Sequence, residues 1–286
     1  MNWLTKMLLG IAVATLVGCT PANENQPDST SDNDQPPPQA ETYTADNMMR
    51  EEVPMCQMEL GFESWEPYQY VSVSGEVGGV DIEIAKRAAG HVNCILNVRQ
   101  GSWRELLEWL QEGDIDFIMG ASKTPAREEY AWFSIPYRNE QFSLFIRSEE
   151  APRYPMNDIE AFLAEGHKVG VVNEYFYGDT MQELMYESEY GDQFMGARLN
   201  ELNMARLLDG EIDGFMEDNL VAASIIRRRS WNDAIQRHSI GLPASEVYAM
   251  FSKSAVTEEE VMAFNGALRE LTNNGFIAEL IRRYGG

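Results

Sequence analysis

Histidine and cysteine are scarce in this chain of 286 residues, with three of each. His91, His167 and His238 are scattered, with no spacing that would bring two onto one metal. No Cys/His cluster, glycine-rich phosphate loop or G-x-S-x-G nucleophile elbow occurs. No cofactor is implied. Basic residues are also few: 22 Lys and Arg against 46 Asp and Glu give a net charge of −24. So acidic a surface excludes nucleic acid as a partner. It would be repelled by anionic headgroups, so charge does not hold it to a membrane. We read it as a solvated acidic coat and not as a cationic-ligand site.

The longest apolar run, "MLLGIAVATLVG", has 12 residues and follows Lys6. It is too short to span a bilayer and reads as a signal peptide. It leads into Leu16-Val17-Gly18-Cys19, which resembles the bacterial lipobox, in which the cysteine is acylated and becomes the first mature residue. Cys19 is therefore the expected lipidation site. Thr20 follows it, and by resemblance to the usual sorting pattern this favours the outer membrane. Residues 20–49 are rich in Pro, Asn, Asp, Ser and Gln. They lack the large aliphatics needed for a core and read as a disordered tether. Cys56 and Cys94 remain. In an oxidising compartment they are a disulfide candidate, with two buried free thiols as the alternative.

Two phrases recur: "GDIDFIMG" at 113–120 and "GEIDGFMED" at 210–218. Each follows an amphipathic run, "WRELLEWLQE" or "ELNMARLLD". A repeat near a hundred residues is too long for a solenoid and suits two similar α/β lobes. From residue 55 the pattern reads β-α-β-α-β: "MCQMELGF", a helical stripe through Val80, Ile82, Ile84, Ala85, Ala88 and Ala89, "CILNVRQ", a helix with Ser102 as N-cap and Gly113 at its end, then "DIDFIMG". This predicts a parallel sheet with helical covers. A second set follows: a helix capped by Asn157 or Asp158, then "HKVGVVN", and two more helix–strand pairs. Two extended segments, 141–148 and 246–254, run between the sets. The expected boundaries are 50–143 plus 250–286 for a discontinuous first lobe and 144–249 for the second.

The stretches "SWEPYQYV…GGVDIEIAKRAAG", "WRELLEWLQEGDIDFIMGASKTPAREEYAWFSIPY", "KVGVVN" and "GEIDGFMEDNLVAAS" resemble family 3 of the extracellular solute-binding proteins. These are periplasmic receptors of polar amino-acid ABC importers. The resemblance covers about residues 52–285, and the part from Trp103 to Tyr137 is its most specific stretch. It implies a type II periplasmic-binding-protein fold, a monomer with a ligand cleft between lobes. Its partners would be a small amino acid or carboxylate and an ABC permease, with membrane contact only through the lipid. The family also places the strands that begin at Cys56 and Cys94 side by side.

Open parallel sheets bind ligands beyond the carboxyl ends of their strands. The first phrase delivers Gly120, Ala121 and Ser122 there, then Arg127; the second delivers Glu217 and Asp218. An arginine fork pairs a carboxylate bidentately and an acid opposite can pair an ammonium. The resemblance gives Arg127 the α-carboxylate and Asp218 the α-amino group. The alternatives are a surface arginine and a cap for "NLVAAS". Trp65 sits where the family places a stacking aromatic, and Trp103 lies at the start of the next helix. The chain departs from the family at Asn173-Glu174-Tyr175-Phe176-Tyr177, where a Gly-Thr-Thr or Gly-Thr-Ser clamp is usual. Tyr175 and Phe176 are therefore candidate ligand contacts, or the rings pack under the loop. Competing readings on the same scaffold are a cyclohexadienyl-dehydratase-like enzyme, with Glu217 or Asp218 as acid, and a ligand-sensing or interaction lipoprotein.

Overall fold

A computed structural model of the chain describes residues 56–285. The expected signal peptide, the expected lipidation site Cys19 and the expected tether at 20–49 lie outside the described residues. Two mixed sheets organise the rest. The first runs Cys94–Gln100, Cys56–Phe62, Phe117–Ala121, Ser245–Ser252 and Ala131–Phe133, and Arg138–Glu140 pairs with the near end of Ser245–Ser252. The second runs Phe194–Ala197, Val169–Val172, Gly214–Asp218, Phe142–Arg147 and Ile235–Gly241. The first three strands of each sheet are parallel, as the β-α-β pattern predicts. The strands contributed by the two crossing segments run antiparallel to them. The parallel β-α-β cores are present as expected, and the crossing strands make each sheet mixed. A strand that enters directly from the other sheet has no crossover helix to reverse it.

The chain leaves the first sheet after Glu140 and enters the second at Phe142; it returns between Gly241 and Ser245. Boundaries at 143–144 and 249–250 would cut through Phe142–Arg147 and Ser245–Ser252. We therefore draw the lobes at 141 and 242–244.

The repeated phrase has a structural cause. Helices Trp103–Glu112 and Asn200–Leu208 each bury one stripe, through Leu106 and Leu110 or Met204 and Leu207. Each is followed by a glycine at positive φ, Gly113 at 84° and Gly210 at 75°, which turns the chain back. Ile115 and Ile212 are then fully buried. The next residue binds the backbone of a neighbouring strand twice. Asp116 N–H donates to Glu59 O and its carboxylate accepts from Glu59 N–H at 2.7 Å. Asp213 does the same with Lys168, at 2.8 Å. The phrase fixes strand register at the start of Phe117–Ala121 and Gly214–Asp218, leaving their far ends to build a site.

Cys56 and Cys94 face each other in register on adjacent parallel strands and form a disulfide, with Cα atoms 4.6 Å apart.

Candidate functional site

The far end of the first sheet presents three segments. Strand Cys56–Phe62 runs directly into Glu63 and Trp65. Near the end of strand Phe117–Ala121, Gly120 takes φ 83°, and its N–H donates to Tyr137 Oη at 2.9 Å. A Cβ at Gly120 would sit 3.2 Å from Gln69 Nε2 and 3.4 Å from Asp81 Oδ2, a tight fit at a φ that itself favours glycine. Next, Thr124 caps the short helix Pro125–Glu128 by accepting from Arg127 N–H, with proline at its first position. This turn aims the Arg127 side chain inward. Nη1 donates to Ser122 O at 2.9 Å and Nη2 to Glu174 O of the second lobe at 2.8 Å.

From the second lobe, strand Val169–Val172 ends in a turn in which Glu174 takes φ 65°, a left-handed conformation unusual for a side-chain-bearing residue. Its carbonyl points across the cleft and also accepts from Trp103 Nε1 at 3.2 Å. Tyr175 packs edge-on between Trp65 and Trp103, with centroids 6.2 and 5.9 Å away. Its hydroxyl donates to Glu63 Oε2 at 2.6 Å.

These segments enclose a cavity of only about 30 Å³, room for about one water and too little for an amino acid until its lining moves. Its apolar walls are Trp65, Trp103, Phe142, Tyr175 and Phe176; Glu63, Gln69, Ser122, Arg127 and Glu140 supply its polar groups. Arg127 is 7% exposed, and burial pulls its guanidinium below the usual value. Burial pushes Glu63 and Glu140 each up to about 7. Glu140 Oε1 accepts from Ser122 Oγ at 3.2 Å. Behind the cavity, Arg138 forms a two-pronged ion pair with Asp81 at 2.9 and 3.0 Å, its guanidinium 3.8 Å from the Tyr68 ring centre. Among the described residues no cluster of His, Cys, Asp and Glu is placed to hold a metal.

Seven of the residues anticipated from sequence meet here: Trp65, Trp103, Gly120, Ser122, Arg127, Tyr175 and Phe176. Ala121 does not line the cavity. It is fully buried in the cluster that packs on helix Trp103–Glu112, together with Ile118 and Met250. Asp218 does not line it either. Its Oδ1 accepts from Leu220 and Val221 N–H, and its Oδ2 accepts from Gln141 N–H. It caps helix Asn219–Arg229 and ties down the crossing segment. The ring cluster divides: Tyr175 and Phe176 face the cavity, whereas Tyr177 lies beneath the loop, accepting from Val172 N–H at 2.8 Å. Sequence reasoning missed Glu63, Gln69, Glu140, Met119 and Phe142. Glu63 had a signal, as it is the first residue beyond a strand whose carboxyl end faces the cleft.

The bacterial extracellular solute-binding proteins, family 3, match residues 59–286. The probable ABC transporter arginine-binding protein ArtJ of Chlamydia trachomatis serovar D is 22% identical over 228 residues, 78% of this chain and 82% of that protein. Cyclohexadienyl dehydratase of Pseudomonas aeruginosa is 31% identical over 98 residues. The chain spans 37% of that enzyme, which matches 34% of this chain. A histidine kinase sensor domain with similarity to periplasmic binding proteins superposes with a TM-score of 0.71 at 19% identity, covering 80% of this chain and 96% of the domain. That likeness shows the two-lobed fold.

Proposed function

This chain belongs to the bacterial extracellular solute-binding proteins, family 3, and from that premise we propose that it captures a small amino acid in the inter-lobe cavity and presents it to an ABC permease. The observation that carries the reading is the meeting of Arg127 with two buried carboxyls, Glu63 and Glu140, in one aromatic-walled cavity. A buried guanidinium suits the carboxylate of an amino acid. Glu140 and Glu63 replace Asp218 as partners for its ammonium, because Asp218 is engaged by three backbone amides. The name of the Chlamydia relative places arginine in the panel to be tried first. Binding near micromolar would correspond to about −8 kcal/mol. In this reading Cys19 carries the lipid, residues 20–49 are the tether, and the folded part works as a monomer in the periplasm, held at the outer membrane. A thermal-shift screen over the amino acids and small carboxylates tests it; amino acids should raise the melting temperature where simple carboxylates do not.

The reading assigns no reaction to the cavity. A dehydratase-like reading draws on Glu63 and Glu140, whose carboxyls burial pushes up to about 7, where an acid can both hold and release a proton. Glu217 also stays protonated but does not reach the cavity wall. Incubation with prephenate or arogenate separates the readings, because product formation would favour the enzyme.

A further inference from the structure

Two donors from the first lobe, Arg127 Nη2 at 2.8 Å and Trp103 Nε1 at 3.2 Å, converge on a single oxygen, the Glu174 carbonyl. One donor is charged and both side chains are buried, an arrangement that suits a carboxylate oxygen better than a neutral carbonyl. One residue further on, the Tyr175 hydroxyl donates to Glu63, and its ring fills the slot between Trp65 and Trp103. The acceptor on Arg127, the donor on Glu63 and the apolar stem between two indoles all come from one dipeptide. They reproduce, group for group, what a bound amino acid would offer. The backbone supports this: Glu174 holds the left-handed φ that turns its carbonyl outward, and Tyr177 anchors the turn from below through Val172 N–H.

We propose that the Glu174–Tyr175 turn is a built-in occupant of the binding cavity, so that an incoming amino acid must displace it from Arg127, Glu63 and the indole pair. The inference rests on the amino-acid reading of the cavity. It makes Tyr175 a determinant of affinity and selectivity that opposes binding. A ligand must supply both a carboxylate for Arg127 and a donor for Glu63 to compete. Ligands offering only one of these would leave the turn docked. Because the turn bridges the two lobes, it also holds them together when no solute is bound.

The test uses the full chain, unfolded and refolded to strip co-purified solute, as wild type, Tyr175→Ala and Tyr175→Phe. Small-angle scattering without solute should show a larger radius of gyration for Tyr175→Ala than for wild type; equal radii would overturn the proposal. Calorimetry with L-arginine should show Tyr175→Ala binding about tenfold tighter, the factor expected if the docked turn outnumbers the undocked by about ten to one. Weaker binding would mean that Tyr175 is an ordinary wall of the site and would overturn it as well. Tyr175→Phe keeps the ring packed and should move both readouts less, in the same direction, which guards against a loss of fold in the alanine variant. If L-arginine binds none of the three, the amino-acid reading loses support while scattering still decides the role of the turn.

Discussion

Replacing Glu217 by glutamine should stabilise this protein at neutral pH. Glu217 is 1% exposed at the end of strand Gly214–Asp218. Its Oε1 accepts from Trp65 Nε1 at 3.1 Å, across the cleft, and from Asp218 N–H at 2.9 Å. Its Oε2 has no partner among the described residues. Burial pushes its carboxyl from the ordinary 4.5 up to about 8. In the unfolded chain at pH 7 the group is ionised, and folding must reprotonate it. The interval between 4.5 and pH 7, at about 1.4 kcal/mol per pH unit, makes this cost about 3 kcal/mol. A raised carboxyl contributes fully below pH 4.5, and the contribution is lost as pH rises through about 8. Glu63 and Glu140, each raised to about 7, carry the same sign. Wild-type stability should therefore fall between about pH 5 and 8. Glutamine keeps the Oε1 acceptor and never ionises. Glu217→Gln should match wild type at pH 4.5 and exceed it at pH 7 by roughly 5–10 °C in melting temperature. The assay is thermal denaturation by circular dichroism from pH 4.5 to 8. A variant less stable than wild type at pH 7.5, or a difference that ignores pH, would refute the reasoning.

Three further outcomes follow from the same structure. Reducing the Cys56–Cys94 bond, which closes a separation of 38 residues, should lower stability in urea by about 2–4 kcal/mol; an unchanged midpoint under reductant would count against it. Asp81→Asn removes the direct ion-pair partner of the buried Arg138 guanidinium and should cost about 3–5 kcal/mol in chemical denaturation, whereas a loss below about 1 kcal/mol would mean that the nearby carboxyls of Glu140 and Asp218 or water compensate the charge. Cys19→Ser should leave an unprocessed or soluble chain that no longer fractionates with membranes, and retention there after signal cleavage would remove the lipid anchor from the account.

The order of elements was readable because amphipathic stripes and stop signals agree locally. Ser102 and Glu105 form a capping box, Gly113 turns the chain, and Ile115 buries. Arg127 was named through the resemblance to the family, and in the structure Thr124 and Pro125 fix the first turn of its helix. Asp218 shows the limit. An acid one residue before "NLVAAS" is a cap signal as much as a ligand signal, and the three amides around it decide in favour of the cap. Glu140 was hidden because its role depends on tertiary placement. It ends a three-residue strand beside Ser245–Ser252, a pairing that spans about a hundred residues of chain. The two crossing strands were readable as extended segments at 141–148 and 246–254, but their antiparallel sense was not, because hydrophobic pattern reports burial and period, not direction.

Calorimetric titration of wild type and Arg127→Ala with the amino acids that score in the thermal-shift screen tests the central claim most directly. The account predicts micromolar binding to wild type and a loss of a hundredfold or more in the variant, since an unpaired carboxylate in a buried site costs about 3–5 kcal/mol. Arg127→Lys should recover only part of it, because an ammonium lacks the planar fork. Failure of every amino acid to bind wild type, or equal affinity in a folded Arg127→Ala, would contradict it.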